Sequence, residues 1–145
     1  MEESIVFRHS CPIQVRFTDI DQMAHVTNSI YLAYCDIARI GYFSEVLGEQ
    51  IGQSDESLVI ASVTIDFLKP IFLYEKINVL TKTIKIGNKS LQMLQQIVNP
   101  ETGDVKAEVL SVVAGFNYVA QESMVIPERW KMAIANYDSG IEYKK

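Results

Sequence analysis

The apolar and polar positions of this 145-residue chain change period several times. Alternation with period two over residues 11–18 predicts a strand, with Val15 and Phe17 on the same face. Residues 19–27 keep neither period and are predicted to form a loop. The chain then returns to an apolar or small residue every three or four positions, which is typical of one buried helical face. That face is predicted to consist of Ile30, Ala33, Tyr34, Ile37, Ala38 and Gly41.

The predicted helix carries signals at both ends. Asn28 or Ser29 can cap its start, because either side chain accepts hydrogen bonds from the free amides of a first turn. Gly48 suits the left-handed position that ends many helices. Asp36 and Arg39 lie off the apolar face, one turn apart, and are predicted to form an ion pair.

Four further strand-like segments follow, separated by turn-forming residues. They are predicted at 58–68, 76–86, 90–98 and 105–118, with a bulge near Lys82 where the apolar phase slips. A short C-terminal helix is predicted from Pro127 to residue 136. Consecutive hairpins favour an antiparallel meander. The predicted class is therefore α+β, with an antiparallel five- to six-stranded sheet around one long central helix.

Composition narrows the class of protein. One domain over residues 1–145 is expected at this length, and the net charge of −5 argues against a nucleic-acid surface. No apolar run reaches the roughly 20 residues that cross a bilayer, and the acidic N-terminus is unlike a signal peptide. Two cysteines do not make a disulfide framework. A cytoplasmic protein is predicted, and the apolar outer face of residues 108–119 predicts a homo-oligomer.

Candidate chemistry is concentrated in the loop before the helix. Asp19, Asp21, His25 and Asn28 fall within ten residues. A calcium loop would need a glycine and a glutamate that are missing here, and zinc would need more ligands. No serine elbow or phosphate-binding glycine loop occurs. Neither a metal nor an organic cofactor is predicted.

A carboxylate before a helix start suits acyl transfer to water. The free amides of a helix N-terminus can polarise a carbonyl and stabilise the oxyanion formed on attack. Asp21 lies seven residues before Asn28, so the loop can bring its carboxylate close to that start. It can then act as base or nucleophile, while His25 hydrogen-bonds substrate or water.

The run Arg16-Phe-Thr-Asp-Ile-Asp-Gln-Met-Ala-His-Val-Thr-Asn-Ser-Ile-Tyr31 resembles the signature of the 4-hydroxybenzoyl-CoA thioesterase family, and so does Phe67-Leu-Lys-Pro70. The resemblance implies the hotdog fold, in homodimers or homotetramers. It also implies catalytic roles for Asp21, His25 and the Asn28 amide. Where plant acyl-carrier thioesterases have an asparagine before the histidine, this chain has Met23.

The resemblance implies a hydrolase that converts acyl-CoA to free acid and CoA. Tyr31 and Phe67 are expected to shape the substrate site. Three lysines near the second hairpin, Lys82, Lys85 and Lys89, are predicted to contact CoA phosphates. Two alternatives stay open: an enzyme acting on acyl-carrier-protein thioesters, and a non-catalytic acyl-thioester-binding protein. Acyl length and aromatic preference are not predicted.

Overall fold

A computed structural model describes residues 5–52 and 54–143. The predicted domain 1–145 also includes residues 1–4, 53 and 144–145, which lie outside the described residues. The first four of these belong to the acidic N-terminus discussed above. The elements are β1 His9–Gln14, α1 Asn28–Leu47, β2 Ser57–Phe67, β3 Lys76–Ile86, β4 Ser90–Val98, β5 Val105–Asn117, β6 Glu122–Ser123, α2 Glu128–Tyr137 and β7 Glu142–Tyr143.

The sheet confirms the predicted class but corrects its strand order. The main strands lie in the order β1-β3-β4-β5-β2, and these neighbours are all antiparallel. The predicted meander holds for β3, β4 and β5. It is wrong for β2, which pairs with β5 at the far edge. Residues 68–75 make this possible, because a link of that length spans the end of the sheet where a tight turn could not. The short β6 pairs with β5 in antiparallel orientation, and the short β7 pairs with β3 in parallel orientation.

The helix α1 packs on one face of this sheet. Its buried residues are Tyr31, Tyr34, Cys35, Ala38, Arg39, Tyr42 and Phe43. The predicted apolar face is therefore wrong in part: Ile37 is 53% exposed, while Arg39 is buried. Tyrosines can occupy buried positions because their hydroxyls find partners, as Tyr34 does on Asp19 and Tyr42 on Thr83. Periodicity alone does not reveal those partners.

The ends of the elements hold several corrections. Thr27, rather than Asn28 or Ser29, stands at the N-cap of α1, and its side chain makes no capping hydrogen bond. Gly48 ends the helix at φ +67°, as predicted. Phe17 lies in a 3-10 turn after β1 and is 77% exposed, so it does not share a buried face with Val15.

Two further boundaries differ slightly from the prediction. The irregularity in β3 falls between Thr83 and Lys85 rather than at Lys82. Pro127 takes the N-cap position, and α2 begins one residue later. Neither shift changes the packing of α2, whose buried residues Trp130 and Ile134 belong to one core cluster.

In the described ranges 5–52 and 54–143, no helix combines the length and apolar character that a membrane crossing requires.

Candidate active site

A tight turn orients Asp21. Its Oδ1 accepts hydrogen bonds from the backbone N–H of Met23 at 2.9 Å and of His25 at 3.2 Å. The Asp21 N–H donates to the His25 carbonyl at 2.8 Å, and Ala24 takes a left-handed φ of +60° to close the turn. The carboxylate itself is exposed. Asp21 is therefore held at a defined place yet remains open to solvent and ligand.

Asp19 has the opposite surroundings. Only 1% of it is exposed, and its carboxylate accepts from the Tyr34 hydroxyl at 2.7 Å and from the Arg16 guanidinium at 2.9 Å. Burial opposes ionisation, but these hydrogen bonds outweigh it and hold the pKa of Asp19 below its usual range. Burial and the neighbouring Asp19 raise the pKa of Tyr34. Asp19 thus joins the loop to α1 and has no access to a ligand.

The loop is also tied to the link between β2 and β3. The Val26 N–H donates to the Ile71 carbonyl at 2.8 Å. The His25 ring meets the Phe72 ring edge-on, with centroids 4.8 Å apart. A polar loop followed by Val26 and faced by the apolar Ile71 folds this way because both aliphatic side chains become buried.

A cavity of about 240 Å³ lies where the loop, α1 and β2 meet. Four predicted site residues besides Asp21 line it: His25, Asn28, Tyr31 and Phe67. The Tyr31 and Phe67 rings pack edge to face at 5.0 Å, and the Tyr31 hydroxyl donates to the Lys69 carbonyl at 3.2 Å. Burial raises the pKa of the Tyr31 hydroxyl. Tyr31 therefore forms a fixed, neutral wall.

The start of α1 supplies donors to this cavity. Within the described residues, the N–H groups of Asn28 and Ser29 have no backbone acceptor, as expected in the first turn of a helix. The helix dipole adds a partial positive charge at the same place. The exposed Asp21 and the first residue of α1, Asn28, consequently line one small space.

The three predicted lysines do not join this site within the chain. Lys82 is buried, and its Nζ donates to the Ser139 carbonyl at 2.8 Å. Lys85 and Lys89 lie at the β3–β4 hairpin, whereas the cavity lies near the opposite end of β3. The predicted contact of Lys82 with CoA has no support within the chain, because its buried Nζ faces the Ser139 carbonyl rather than the cavity, and it stays a prediction. Lys85 and Lys89 could reach a ligand there only from a second copy.

Four lining residues were not predicted as site residues: Val26, Leu68, Lys69 and Pro70. The motif at residues 67–70 predicts only Phe67 as a site residue. Lys69 is the cation of this cavity, and its Nζ pairs with Asp104 at 2.7 Å. Lys69 reaches the cavity because the link after β2 crosses the end of the sheet to β3. The predicted meander has no such crossing, since it places consecutive strands side by side.

The described residues contain no group of three or more His, Cys, Asp or Glu side chains arranged to hold a metal ion. Asp19 and Asp21 point to different partners, the first into the protein and the second toward the cavity.

Comparison with known proteins defines the class. Residues 15–134 match the model of the thioesterase-like superfamily. A Thermus thermophilus thioesterase, solved in complex with coenzyme A and zinc, is 28% identical and superposes with a TM-score of 0.78 over 90% of this chain and 99% of that one. The chloroplastic acyl-acyl carrier protein thioesterase ATL3 of Arabidopsis thaliana is 33% identical over 66 residues, 43% of this chain.

The Bacillus subtilis protein YsmA, whose name assigns no function, is 28% identical over 82 residues, 56% of this chain. The matched segments span only 54% of YsmA and 34% of ATL3. The chain belongs to the thioesterase-like superfamily and has its hotdog fold. The prediction of a thioester hydrolase is supported at the level of this class, while the narrower 4-hydroxybenzoyl-CoA family stays a prediction.

Proposed function

We propose that this protein hydrolyses acyl-CoA thioesters to a free acid and CoA, with Asp21 as the catalytic carboxylate. One observation carries the proposal: Asp21 and the first residue of α1, Asn28, line the same cavity. Carboxylate and carbonyl-polarising donors are the two groups that attack on a thioester requires. Coenzyme A in the Thermus relative supports CoA as the carrier of the acyl group.

The reaction follows from these groups. The thioester carbonyl oxygen accepts from the N–H groups at the start of α1. In one route, Asp21 takes a proton from water as the water oxygen adds to the carbonyl carbon, the C–S bond then breaks, and the CoA thiolate takes up the proton that Asp21 holds. In the other route, Asp21 attacks the carbonyl carbon itself, and the C–S bond breaks to give an anhydride and the CoA thiolate. Water then opens the anhydride to the free acid, and the thiolate takes up a proton released from that water. His25 orients the water or the substrate beside the Phe72 ring.

Asp21→Asn tests the proposal. The asparagine keeps Oδ1 as an acceptor for the N–H groups of Met23 and His25, so the loop is expected to stay folded. Thiol release from an acyl-CoA panel should fall at least about 100-fold, the scale of losing a catalytic base. Asp55→Asn, at an exposed carboxylate outside this cavity, is the matched control and should keep full turnover. Turnover by Asp21→Asn close to that of the control would remove Asp21 from this role.

A second candidate substrate is an acyl-carrier-protein thioester, which the name of the ATL3 relative favours. The same acyl group presented on CoA and on a carrier protein separates the two. A higher kcat/KM on the carrier protein would replace CoA in the proposal and leave the role of Asp21 intact. Binding of both thioesters without thiol release would favour the non-catalytic alternative.

We also propose that the protein is a homodimer joined through β2. Ile60 and Val63 of β2 stand opposite the buried Val113 and Ser111 of β5, so they lie on the inner face of the sheet. Both side chains are apolar, and so is this part of the inner face. Yet α1 does not cover it, and Val63 is 38% exposed. The predicted apolar outer face of residues 108–119 exposes Leu110, Tyr118 and Val119, but β5 is paired on both sides, so β2 with its free edge is the better basis for association. A second copy would cover this apolar face and would form hydrogen bonds with the free edge of β2.

A further inference from the structure

A buried ion pair lies beside the active site and takes no part in the reaction described above. Lys106 of β5 and Glu75, at the end of the link from β2 to β3, have side chains only 6% and 14% exposed, and Lys106 Nζ lies 2.6 Å from Glu75 Oε2. The Asn99 side-chain amide donates to the same oxygen at 2.8 Å. Burial opposes ionisation of Glu75, but hydrogen bonds hold its pKa below the usual range. Glu75 is therefore a buried carboxylate at neutral pH.

Stability alone does not explain why this pair is charged. Two charges lose their hydration on burial, and their attraction often only balances that loss. Apolar side chains of similar volume are often as stabilising at such positions, or more so. The other hydrogen bonds of Lys106 and Glu75 indicate what the two charges hold in place.

Both side chains bind the backbone of the link. Lys106 Nζ donates to the Pro70 carbonyl at 3.2 Å. Glu75 Oε1 accepts from the Phe72 N–H at 3.0 Å. These two backbone groups flank Ile71, so the ion pair fixes the link on both sides of that residue.

The link depends on such contacts because residues 68–75 form no strand ladder. Tyr74 takes a φ of +69°, in the left-handed region that a bulky side chain rarely adopts. A backbone of this kind persists where the surrounding contacts determine it. The Tyr74 side chain is 88% exposed and supplies few contacts, whereas the adjacent Glu75 carboxylate bonds back to the link.

The link in turn supports the catalytic loop. The Ile71 carbonyl accepts a hydrogen bond from the Val26 N–H at 2.8 Å. The Phe72 ring packs edge-on against the His25 ring, and Pro70 lines the active-site cavity. The same three link residues are thus fixed by the ion pair on one side and contact the site on the other.

Taking the proposed thioesterase activity as given, we propose that Lys106 and Glu75 are positioning residues for it. Through the link, they fix the loop that carries Asp21 and His25 relative to the start of α1. A displacement of about 1 Å at a catalytic group can cost about 100-fold in rate. CoA is far larger than the cavity, so most of its contacts lie outside the positioned segment. The pair should consequently act on kcat more than on KM.

The test removes both charges together, in Glu75→Leu combined with Lys106→Met, so that neither is left buried alone. Pro70 and Phe72 are exposed, so their freed backbone groups can bind water, and the urea midpoint should stay close to that of the wild type. The kcat for thiol release from acyl-CoA should fall by about 10- to 100-fold, and KM should change by less than about threefold.

A second ion pair provides the matched control. Lys76 and Glu101 form an exposed pair at the same end of the sheet, with Nζ and Oε1 3.3 Å apart, and neither lines the cavity. Lys76→Met combined with Glu101→Leu makes the same chemical changes and should keep the wild-type kcat.

Amide hydrogen exchange tests the same inference without any substrate. The Glu75→Leu and Lys106→Met double variant should speed exchange of the Val26 N–H by at least about 10-fold, because its acceptor on the link is no longer held. The N–H of Leu94, in the middle of β4, should exchange as in the wild type. A pair that served only stability would change both rates by the same factor.

Three results overturn the inference. They are a wild-type kcat in the double variant, equal changes in exchange at Val26 and Leu94, and a double variant that does not fold, since the pair would then be needed for stability. A wild type that hydrolyses no thioester overturns the proposed function instead. The exchange rates would still decide whether the pair holds the loop.

Discussion

The two edges of the sheet are built differently. β1 is six residues long, contains Pro12, and presents Ser10 and Gln14 to solvent. Short strands, proline and polar side chains keep an edge from pairing with another chain. β2 has eleven residues, no proline, and an apolar inner face that α1 leaves uncovered. β1 is therefore protected against pairing with another chain, whereas β2 is suited to pair with a partner.

The site lies between these edges and draws on both. The loop after β1 supplies Asp21 and His25, while β2 supplies Phe67. The loop satisfies its buried polar groups within the chain, through Asp19 and Tyr34. The β2 wall does not bury its apolar groups within the chain. We expect the stability of the loop to be the same in the monomer and the dimer. The stability of β2 should instead rise with protein concentration, because association buries its apolar face.

The largest expected effect is on association. In a two-fold interface a lysine on the inner face of β2 is introduced on both copies, and like charges placed together cost several kcal/mol. Val63→Lys combined with Ile60→Lys should weaken the dimer by at least about 100-fold in Kd. Sedimentation at micromolar concentration should show the mass fall from twice 16.4 kDa to 16.4 kDa. Ser10→Lys on β1 should leave the mass unchanged. A wild type that already sediments as a 16.4 kDa particle would contradict the proposal that β2, unlike β1, is an edge that pairs with a second copy.

The next effect is on stability and comes from Asp19. Its folded pKa is depressed, so its contribution is fully present above the unfolded value of about 3.9 and is lost as the pH falls through the folded pKa. Asp19→Asn should lower the free energy of unfolding by about 1.5–3 kcal/mol at neutral pH. Urea denaturation from pH 7 to pH 2 should show this deficit shrink on the acid side, because the wild type loses the same charge.

A constant deficit across that pH range would mean that the charge of Asp19 does not stabilise the loop. The deficit should also be the same at every protein concentration, since the Asp19 network lies within one chain. A deficit that depends on concentration would instead connect the loop to association.

The smallest effect is expected at Phe17. Because this ring is 77% exposed, Phe17→Ala should change the free energy of unfolding by less than about 0.5 kcal/mol in a urea titration. A loss of the size typical of buried phenylalanine, about 3–5 kcal/mol, would show that Phe17 is covered in solution. Such a cover would make the β1 side of the molecule an interface as well.

Local patterns predicted the elements because each depends on neighbours in sequence. The period of 3.6 marked α1, Gly48 ended it, and the turns at 87–89 and 99–104 separated β3, β4 and β5. The candidate site was predicted in part for the same reason. Asp21, His25 and Asn28 come from one continuous segment, so the loop alone brings them together.

Features that depend on contacts between distant segments could not be predicted from local patterns. The place of β2 beside β5 follows from pairing across the whole sheet, and it carries Phe67 and Lys69 to the cavity while leaving Lys82 elsewhere. The burial of Arg39 and the exposure of Ile37 follow from which side of α1 the sheet covers. By itself the sequence determined the elements, the acidic loop and its position before α1. Packing determined which side chains meet, because contacts between distant segments have no period in the sequence.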